Sequence, residues 1–349
     1  MVQQKSSELA KVTNSGAILL GNIFEVDSFA GKPVRVVSHF HSDHTILLSK
    51  SGKFASHILA TSATIEALPL MGFSLPEDKL LPLEYGRSIK FGEDSLVLVK
   101  SSHVIGSAQV LVETVDGSRV GYTGDFKFPG TKIMSDLDVL IIDATYGEET
   151  MVRPFKNEVD ILFSDLVSEL LSKGKPVIVK GYHGKLQEAM HIMRRFGVEA
   201  PFILPEKVYE LTKLAEKHGL KVGNYFREGS EEAVEAIKGG WFVYLNHANS
   251  RKKTPFVASE VVLTGWFFSS PLKKIYENGS GERWVVALSD HADFEDTLYY
   301  VEEARPKKIL IDAFRTSREI AEAFAKSVLR RLGKEAVVMP DSHGIEEED

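Results

Sequence analysis

Apolar and polar positions along the first part of the chain form short runs of the β type. Ala17–Leu20, Val34–Ser38, Ser95–Lys100, Ala108–Glu113, Arg119–Tyr122 and Val139–Ile142 are rich in Val, Ile and Leu and bounded by Gly, Asp or Ser, which is the pattern of strands. Asp116-Gly117 between two of them predicts a hairpin turn. Ser62–Met71 predicts a helix that Gly72 ends. After Tyr146-Gly147 the pattern changes to alternating helices and strands: helix Glu158–Ser172, strand Pro176–Lys180, helix Lys185–Phe196, strand Phe202–Leu204 and helix Lys207–His218. In the first of these, Asp160, Asp165 and Glu169 interleave with Leu162, Leu166, Val167, Leu170 and Leu171 at the helical period. Strands Trp241–Asn246 and Val261–Gly265 follow, as expected for an α/β unit with a parallel sheet. Strands Trp284–Leu288 and Ala304–Ile311, then helix Ser317–Leu332, read as a return to the first body. The expected organisation is therefore a strand-rich body over residues 1–150, an insertion over 151–283 and a return over 284–349. The acidic tail Glu346–Asp349 is expected to fray.

Composition narrows the chemistry. At 349 residues the chain exceeds one ordinary core. No apolar run approaches the about 18–20 residues of a membrane span, and the start, Met1 to Lys11, is polar and lacks the core of a signal peptide. A cytoplasmic protein without membrane partners is the expectation. The chain has no cysteine, which excludes disulfides, thiolate metal sites and a thiol nucleophile. A metal would have to be held by His, Asp or Glu. The net charge of −7 argues against broad adhesion to a polyanion. Local basic clusters, Arg194-Arg195, Arg251-Lys252-Lys253, Lys273-Lys274 and Arg305 with Lys307-Lys308, are the places where one could be met, each of them otherwise an ordinary solvated surface.

The strongest chemical signal is His39-Phe40-His41-Ser42-Asp43-His44, directly after the apolar run Val34–Ser38. His39 and His41 can be aimed at one ion by a tight turn, and Asp43 and His44 can reach a second. His103 and Asp125 each follow a predicted strand, where loops of one rim present side chains. Alone each would be a turn or cap residue; with the first cluster they supply a third His and a carboxylate able to bridge two ions. His183, His247 and His343 stand in turn-like or strand-end settings, with no further sign of function.

The series His39-x-His41-x-Asp43-His44, His103, Asp125 resembles the ligand series of the metallo-β-lactamase superfamily. Asp143 in Asp143-Ala144-Thr145-Tyr146-Gly147 and His291 in Ser289-Asp290-His291-Ala292-Asp293-Phe294 resemble extra motifs of its β-CASP nuclease branch. Gly184-Lys185-Leu186-Gln187-Glu188 is similar to a turn that opens a helix of the β-CASP insertion, and Thr264-Gly265-Trp266 to a segment of the ligase-associated DNA exonucleases. The resemblance runs from about Ile18 to Leu332. It implies an α/β fold, a metallo-β-lactamase αββα sandwich with an inserted α/β β-CASP domain. It also implies two divalent metal ions, zinc by resemblance, although ligation by N and O alone equally suits manganese. His39, His41, His103 and Asp125 would take the first ion; Asp43, His44, the shared Asp125 and Asp312 would take the second. Hydroxide held between the ions would attack phosphorus, with Asp43, Asp143 and His291 as the catalytic set. Asp143 would orient a ligand histidine, and His291 would touch the scissile phosphate or protonate the leaving oxygen.

One position departs from the pattern. Cleavage-factor members carry a further His after the motif of His291, whereas Ile309-Leu310-Ile311-Asp312-Ala313-Phe314 has none. DNA-directed members also lack it, which tilts the expectation toward a DNA exonuclease over an RNA-processing nuclease. A small-molecule hydrolase, such as a thioester or lactone hydrolase, and a silent scaffold are the other readings. Expected partners are DNA or RNA, and a second copy of the chain or a partner protein.

Overall fold

In a computed structural model of the chain, residues 9–279 and 281–341 are described. Most of the polar start, His343 and the acidic tail Glu346–Asp349 lie outside them. The elements group into two compact units, one of residues up to Val152 and from His291 onward, the other Arg153–Asp290.

In the first unit, β1 (Ala10–Val12), β2 (Ile18–Leu20), β3 (Phe24–Val26), β4 (Val34–Val36), β5 (His57–Ala60) and β6 (Leu80–Pro82) form a six-stranded sheet in that order. Helices α1 (Leu48–Phe54) and α2 (Ser62–Leu70) lie between its later strands in sequence. Then β7 (Ser88–Phe91), β8 (Asp94–Lys100), β9 (Ala108–Glu113), β10 (Arg119–Tyr122) and β11 (Val139–Ile142) build most of a second sheet. The return segment completes it with β19 (Lys308–Asp312) and β20 (Ala336–Met339), in the order β20-β19-β11-β10-β9-β8-β7.

The alternation of β11 and β19 decides the layering. Val139, Ile141 and Leu310 point into the core shared with the first sheet, alongside Val26, Val36 and Leu59. Their neighbours Leu140, Ile142, Ile309 and Ile311 point the other way, against Phe294, Leu298 and Val301 of α7 (Phe294–Ala304) and Phe324 and Val328 of α8 (Arg318–Leu332). A strand buried on both faces reads as a continuous apolar run, which is why Val139–Ile142 carries no polar position. This is the mixed α/β sandwich that was expected, with helices on the outer face of the second sheet.

The second unit holds β12 (Val177–Gly181), β13 (Phe202–Leu204), β14 (Tyr225–Arg227), β15 (Val243–His247), β16 (Ser259–Leu263), β17 (Leu272–Asn278) and β18 (Gly281–Val286), in the order β14-β13-β15-β12-β16-β18-β17. All neighbours are parallel except the β17–β18 pair. Its helices are α3 (Val159–Ser172), α4 (Lys185–Arg195), α5 (Glu206–Lys217) and α6 (Glu231–Gly239). Val177, Val179, Leu245 and Val261 pack with Phe163, Leu186 and Met190 on one face, and Ile203, Phe242 and Tyr244 with Ala233 on the other. The start of α4 is closed by Gln187, whose Oε1 accepts from Gly184 N at 2.8 Å.

The run Trp284–Leu288 was expected to open the return segment. Its residues Trp284–Val286 belong to β18, which pairs with β16 and β17, so the return starts at His291. Ala304, expected to begin a strand, instead ends α7, and Arg305 breaks that helix in the left-handed region at φ 46°.

Candidate metal centre

Strand direction puts the ligands on one rim. β8 and β10 both run antiparallel to β9, and β10, β11 and β19 are mutually parallel, so all four end at the same edge of the second sheet. His103 follows β8, Asp125 follows β10, Asp143 follows β11, and Asp312 ends β19. The first sheet meets this edge through Ser38, whose carbonyl accepts from Ala108 N at 2.9 Å, and the His39–His44 loop begins immediately after it. Two glycines permit the close approach. Gly106 has φ +83°, and a Cβ there would stand 2.7 Å from Thr61 Oγ1 and 2.8 Å from Thr64 N. Its carbonyl accepts from both threonine hydroxyls at 2.7 and 3.0 Å, which ties the His103 loop to the start of α2. Gly124 at φ +54°, just before Asp125, lies against Ser38 and the Ala108 carbonyl.

The ligand atoms converge. His39 Nε2 and His103 Nε2 each lie 3.1 Å from His41 Nδ1. Asp125 Oδ2 lies 3.5 Å from His39 Nε2 and 3.3 Å from His103 Nε2. Bonds of about 2.0–2.1 Å in a tetrahedron set ligand atoms about 3.3 Å apart, so this quartet has the spacing of a shell around one small cation. The other oxygen of Asp125, Oδ1, lies 3.2 Å from His44 Nε2, which is 3.4 Å from Asp43 Oδ2. Asp125 thus offers one oxygen to each group. The atoms of each group lie within 4.8 Å of one another. His44 Nε2 is buried and makes no hydrogen bond, while its Nδ1 is engaged by Asp27 Oδ2 at 2.7 Å. A nitrogen so oriented, with its ring held from behind, is what a metal ligand requires.

Electrostatics point the same way. Burial drives the His39 imidazole well below its ordinary pKa, and the neighbouring His44 lowers it further, which favours the neutral form that binds metal. Burial also opposes charge on His44, but Asp125, Asp43 and Asp27 together outweigh it and raise that group well above the usual histidine range. Burial opposes ionisation of Asp125, yet His44 and His291 hold its carboxyl well below the usual range. The carboxylates of Asp125, Asp43 and Asp27 gathered around these imidazoles make a sink for positive charge, and the residues present therefore suit divalent metal ions.

Several sequence expectations are placed differently. Asp143 was expected to orient a ligand histidine. Its Oδ2 instead lies 3.2 Å from Nδ1 of His291, and its Oδ1 accepts from Thr145 N and Oγ1 at 2.8 and 2.7 Å. His291 Nε2 comes to 3.7 Å from Asp125 Oδ2, and its ring packs 4.8 Å from that of His103. Asp293 caps α7 by accepting from Asp296 N at 3.1 Å. Asp312 was expected to hold the second ion. It joins neither ligand group among the described residues; its Oδ2 pairs with Arg315 Nη1 at 2.7 Å and its Oδ1 accepts from Phe314 N at 2.9 Å. The guanidinium neutralises this carboxylate, then reaches the Asp43 carbonyl through Nε at 3.1 Å and the Gly16 carbonyl through Nη2 at 2.9 Å.

The sequence reading missed Asp27 and Arg315. Asp27 is wholly buried, with φ 64°. It accepts from Ser38 N at 2.8 Å, Ser38 Oγ at 2.7 Å and His44 Nδ1 at 2.7 Å. A lone Asp after a strand has no local signature; only the parallel β3–β4 register, with Asp27 N on the Val36 carbonyl, sets it beside the histidine loop. Of the basic clusters, Arg194 is spent on the carbonyls of Val198, Ala200 and Val222, and Arg195 on Asp160. Lys274 pairs with Glu277 and Glu282, and Lys307 with Asp138. His183 and His247 meet in the second unit, ring centroids 4.6 Å apart.

The two-sheet fold gathers His39, His41, His44, His103 and a shared Asp125 at one rim, a donor set suited to divalent metal ions. No family model matches the chain. It is 49% identical over 140 residues to an "Uncharacterized protein in lig 3'region" of Acidianus ambivalens, a match that takes in 40% of this chain and 99% of that one. Over 324 residues, 89% of this chain, it is 26% identical to a "Probable DNA ligase" of Opitutus terrae, spanning 29% of that protein. Over 179 residues, 45% of this chain, it is 27% identical to "Probable RNase MJ4" of Methanocaldococcus jannaschii, spanning 41% of that protein. The chain thus spans nearly all of the first relative and less than half of the other two. A solved protein of unknown function from Enterococcus faecalis V583 shares the fold with a TM-score of 0.54 at 14% identity, over 80% of this chain and 74% of that one. The chain belongs to the β-CASP branch of the metallo-β-lactamase superfamily.

Proposed function

We propose that this chain is a metal-dependent nuclease that hydrolyses phosphodiester bonds, with DNA as its substrate, exonucleolytic cutting as its mode and zinc as its ion. The observation that carries the reading is the split of the Asp125 carboxylate between two sets of ligand atoms, with His291 at their edge. Bound divalent ions would supply an acidified water as nucleophile and neutralise charge building on the phosphate. The chain does the rest. His39, His41, His103 and Asp125 would hold one ion, and Asp43, His44 and Asp125 the other. The Asp143 carboxylate at Nδ1 fixes the His291 ring, so that its Nε2 side would contact the scissile phosphate or protonate the leaving oxygen. His291 keeps 21% of its side chain exposed, enough to meet a substrate, whereas His39 and His103 are sealed at 1%. Support for DNA comes from the relative named as a DNA ligase, whose match runs along 89% of this chain, and from the lack of a histidine in Ile309–Phe314, the stretch that corresponds to a further histidine in the cleavage-factor members the chain resembles. The relative named as an RNase keeps RNA in the experiment.

The test is parallel digestion of end-labelled single- and double-stranded DNA and RNA with zinc or manganese. Stepwise release from labelled DNA ends is expected; cutting of RNA alone moves the substrate to RNA, and no cleavage of any of them leaves a scaffold or a small-molecule hydrolase. His41→Ala or Asp125→Ala is expected to abolish hydrolysis, with His41→Ala shifting the unfolding midpoint in chelator buffer little. Full activity of either purified variant would remove the mechanism. No helix among the described residues is long and apolar enough to cross a membrane.

A further inference from the structure

The sheet of the second unit has a crossover in its strand order. In an open parallel sheet, ligands bind outside the carboxyl ends of the strands, where adjacent strands send their connections in opposite directions. Here that point lies between β12 and β16. The chain leaving β12 passes through α4 to β13, on the β15 side of the sheet, while the chain leaving β16 goes to β17 at the far edge. Lys180 is in register with Val262, so Tyr182 and Thr264 leave the two strands at one level.

The loops at this point present aromatic rings to solvent. Tyr182 is 50% exposed and Trp266 57% exposed. Both loops are tied to the rest of the unit. The Tyr182 ring stands edge-on to His247, the last residue of β15, at 5.3 Å and 86°, and His183 stacks on the same imidazole. The Trp266 loop is anchored by the buried Arg153, which donates to the Gly265 carbonyl at 2.7 Å and lies over the Phe268 ring at 5.1 Å. Trp266 N itself donates to Thr264 Oγ1 at 3.1 Å. Beside them, the chain leaving β15 carries Arg251, Lys252 and Lys253, all exposed, with Lys252 paired to Glu228.

Exposed aromatic rings on anchored loops, at the same strand ends from which a short basic run departs, suit stacked nucleobases with their phosphates alongside. We propose that Tyr182 and Trp266 form a base-stacking platform that binds a single-stranded segment of nucleic acid, with Arg251 and Lys253 along the phosphates. The proposal rests on the nuclease reading for the class of ligand, and places the recognition in residues that take no part in the metal centre.

The experiment is binding without turnover: fluorescence anisotropy of labelled oligothymidylate and oligouridylate with the full chain in EDTA. Tyr182→Ala and Trp266→Ala are each expected to weaken binding roughly 5- to 150-fold, the equivalent of about 1–3 kcal/mol per stacked base. Tyr182→Phe and Trp266→Phe retain a stacking face and should bind nearly as the parent. The parent's tryptophan emission should be quenched on binding, and that quench should be lost in Trp266→Phe while affinity stays. Wild-type affinity in both alanine variants, with unchanged circular dichroism, overturns the platform, as does weakening in the phenylalanine variants as large as in the alanine ones. Because the ions are removed, a protein that cleaves yet shows unaltered variants loses only the platform. A parent that binds neither oligonucleotide loses the platform as well, and the digestion assay then decides the nuclease reading by itself.

Discussion

Three groups converge on the Asp27 carboxylate: the Ser38 amide, the Ser38 hydroxyl and His44 Nδ1. Through them one buried side chain sets the entry angle of the histidine loop and the tautomer of its last ligand. Removing such an outer carboxylate typically lowers metal affinity about 10- to 100-fold. Asp27→Ala is therefore expected to weaken zinc binding by that factor in a chelator-competition titration, and unchanged affinity would show that the loop holds itself. Arg315 acts at the same scale. Its side chain and that of Asp312 are 4% and 2% exposed, so losing one partner strands a buried charge at a cost of about 3–5 kcal/mol. Urea unfolding of Arg315→Met should show a loss of that order. The double variant with Asp312→Asn should recover part of it, because the stranded carboxylate is gone.

At the scale of elements, the site is a consequence of strand direction. Four strands of one sheet end at the same edge, so residues far apart in sequence arrive together without any long loop. The longer periodic elements could be read from sequence: α3 and α4 each begin within a residue of the expected position. Among the three-residue strands, β2, β4 and β13 were predicted, whereas β1, β3 and β6, of the same length, were not. Nor was α1, which starts after Leu47 in the left-handed region at φ 53° with no side-chain cap. β18 carries a pH signature. Lys173 and Lys274 bond the Glu282 carboxylate and hold its pKa down to about 2. A lowered carboxyl pKa contributes stability that is complete above its unfolded value of about 4.3 and is lost as pH falls toward about 2. Glu282→Gln is thus expected to lower the unfolding midpoint modestly at pH 7, since both lysines are about two-fifths exposed and screened. The gap should close as pH falls through that window. A gap that persists at the acid end would show that packing against Trp284, not charge, is what Glu282 contributes.

For the whole molecule, the two units have separate hydrophobic cores, and among the described residues the candidate metal-ligand groups all lie in the first. A ligand that binds the folded state alone stabilises it by mass action, about 2.7 kcal/mol at a hundredfold excess over Kd. Calorimetry with and without zinc should therefore show a rise confined to the transition of the first unit, and His41→Ala should shrink that rise. An equal shift of all transitions would mean that the units unfold as one.

The sequence alone determined what kind of layers the fold would have and marked a cluster of candidate metal ligands. Both are local properties: four candidate ligands packed into His39–His44, and side-chain periods of two and about 3.6 that mark strand and helix faces. Tertiary structure alone decided the pairings among those residues. It gave Asp143 to His291, 148 positions away, gave Asp312 to a guanidinium, and brought Asp27 behind His44. Such pairings depend on register and strand direction, which many contacts set jointly, and a single aspartate in the chain carries no trace of the partner it will meet.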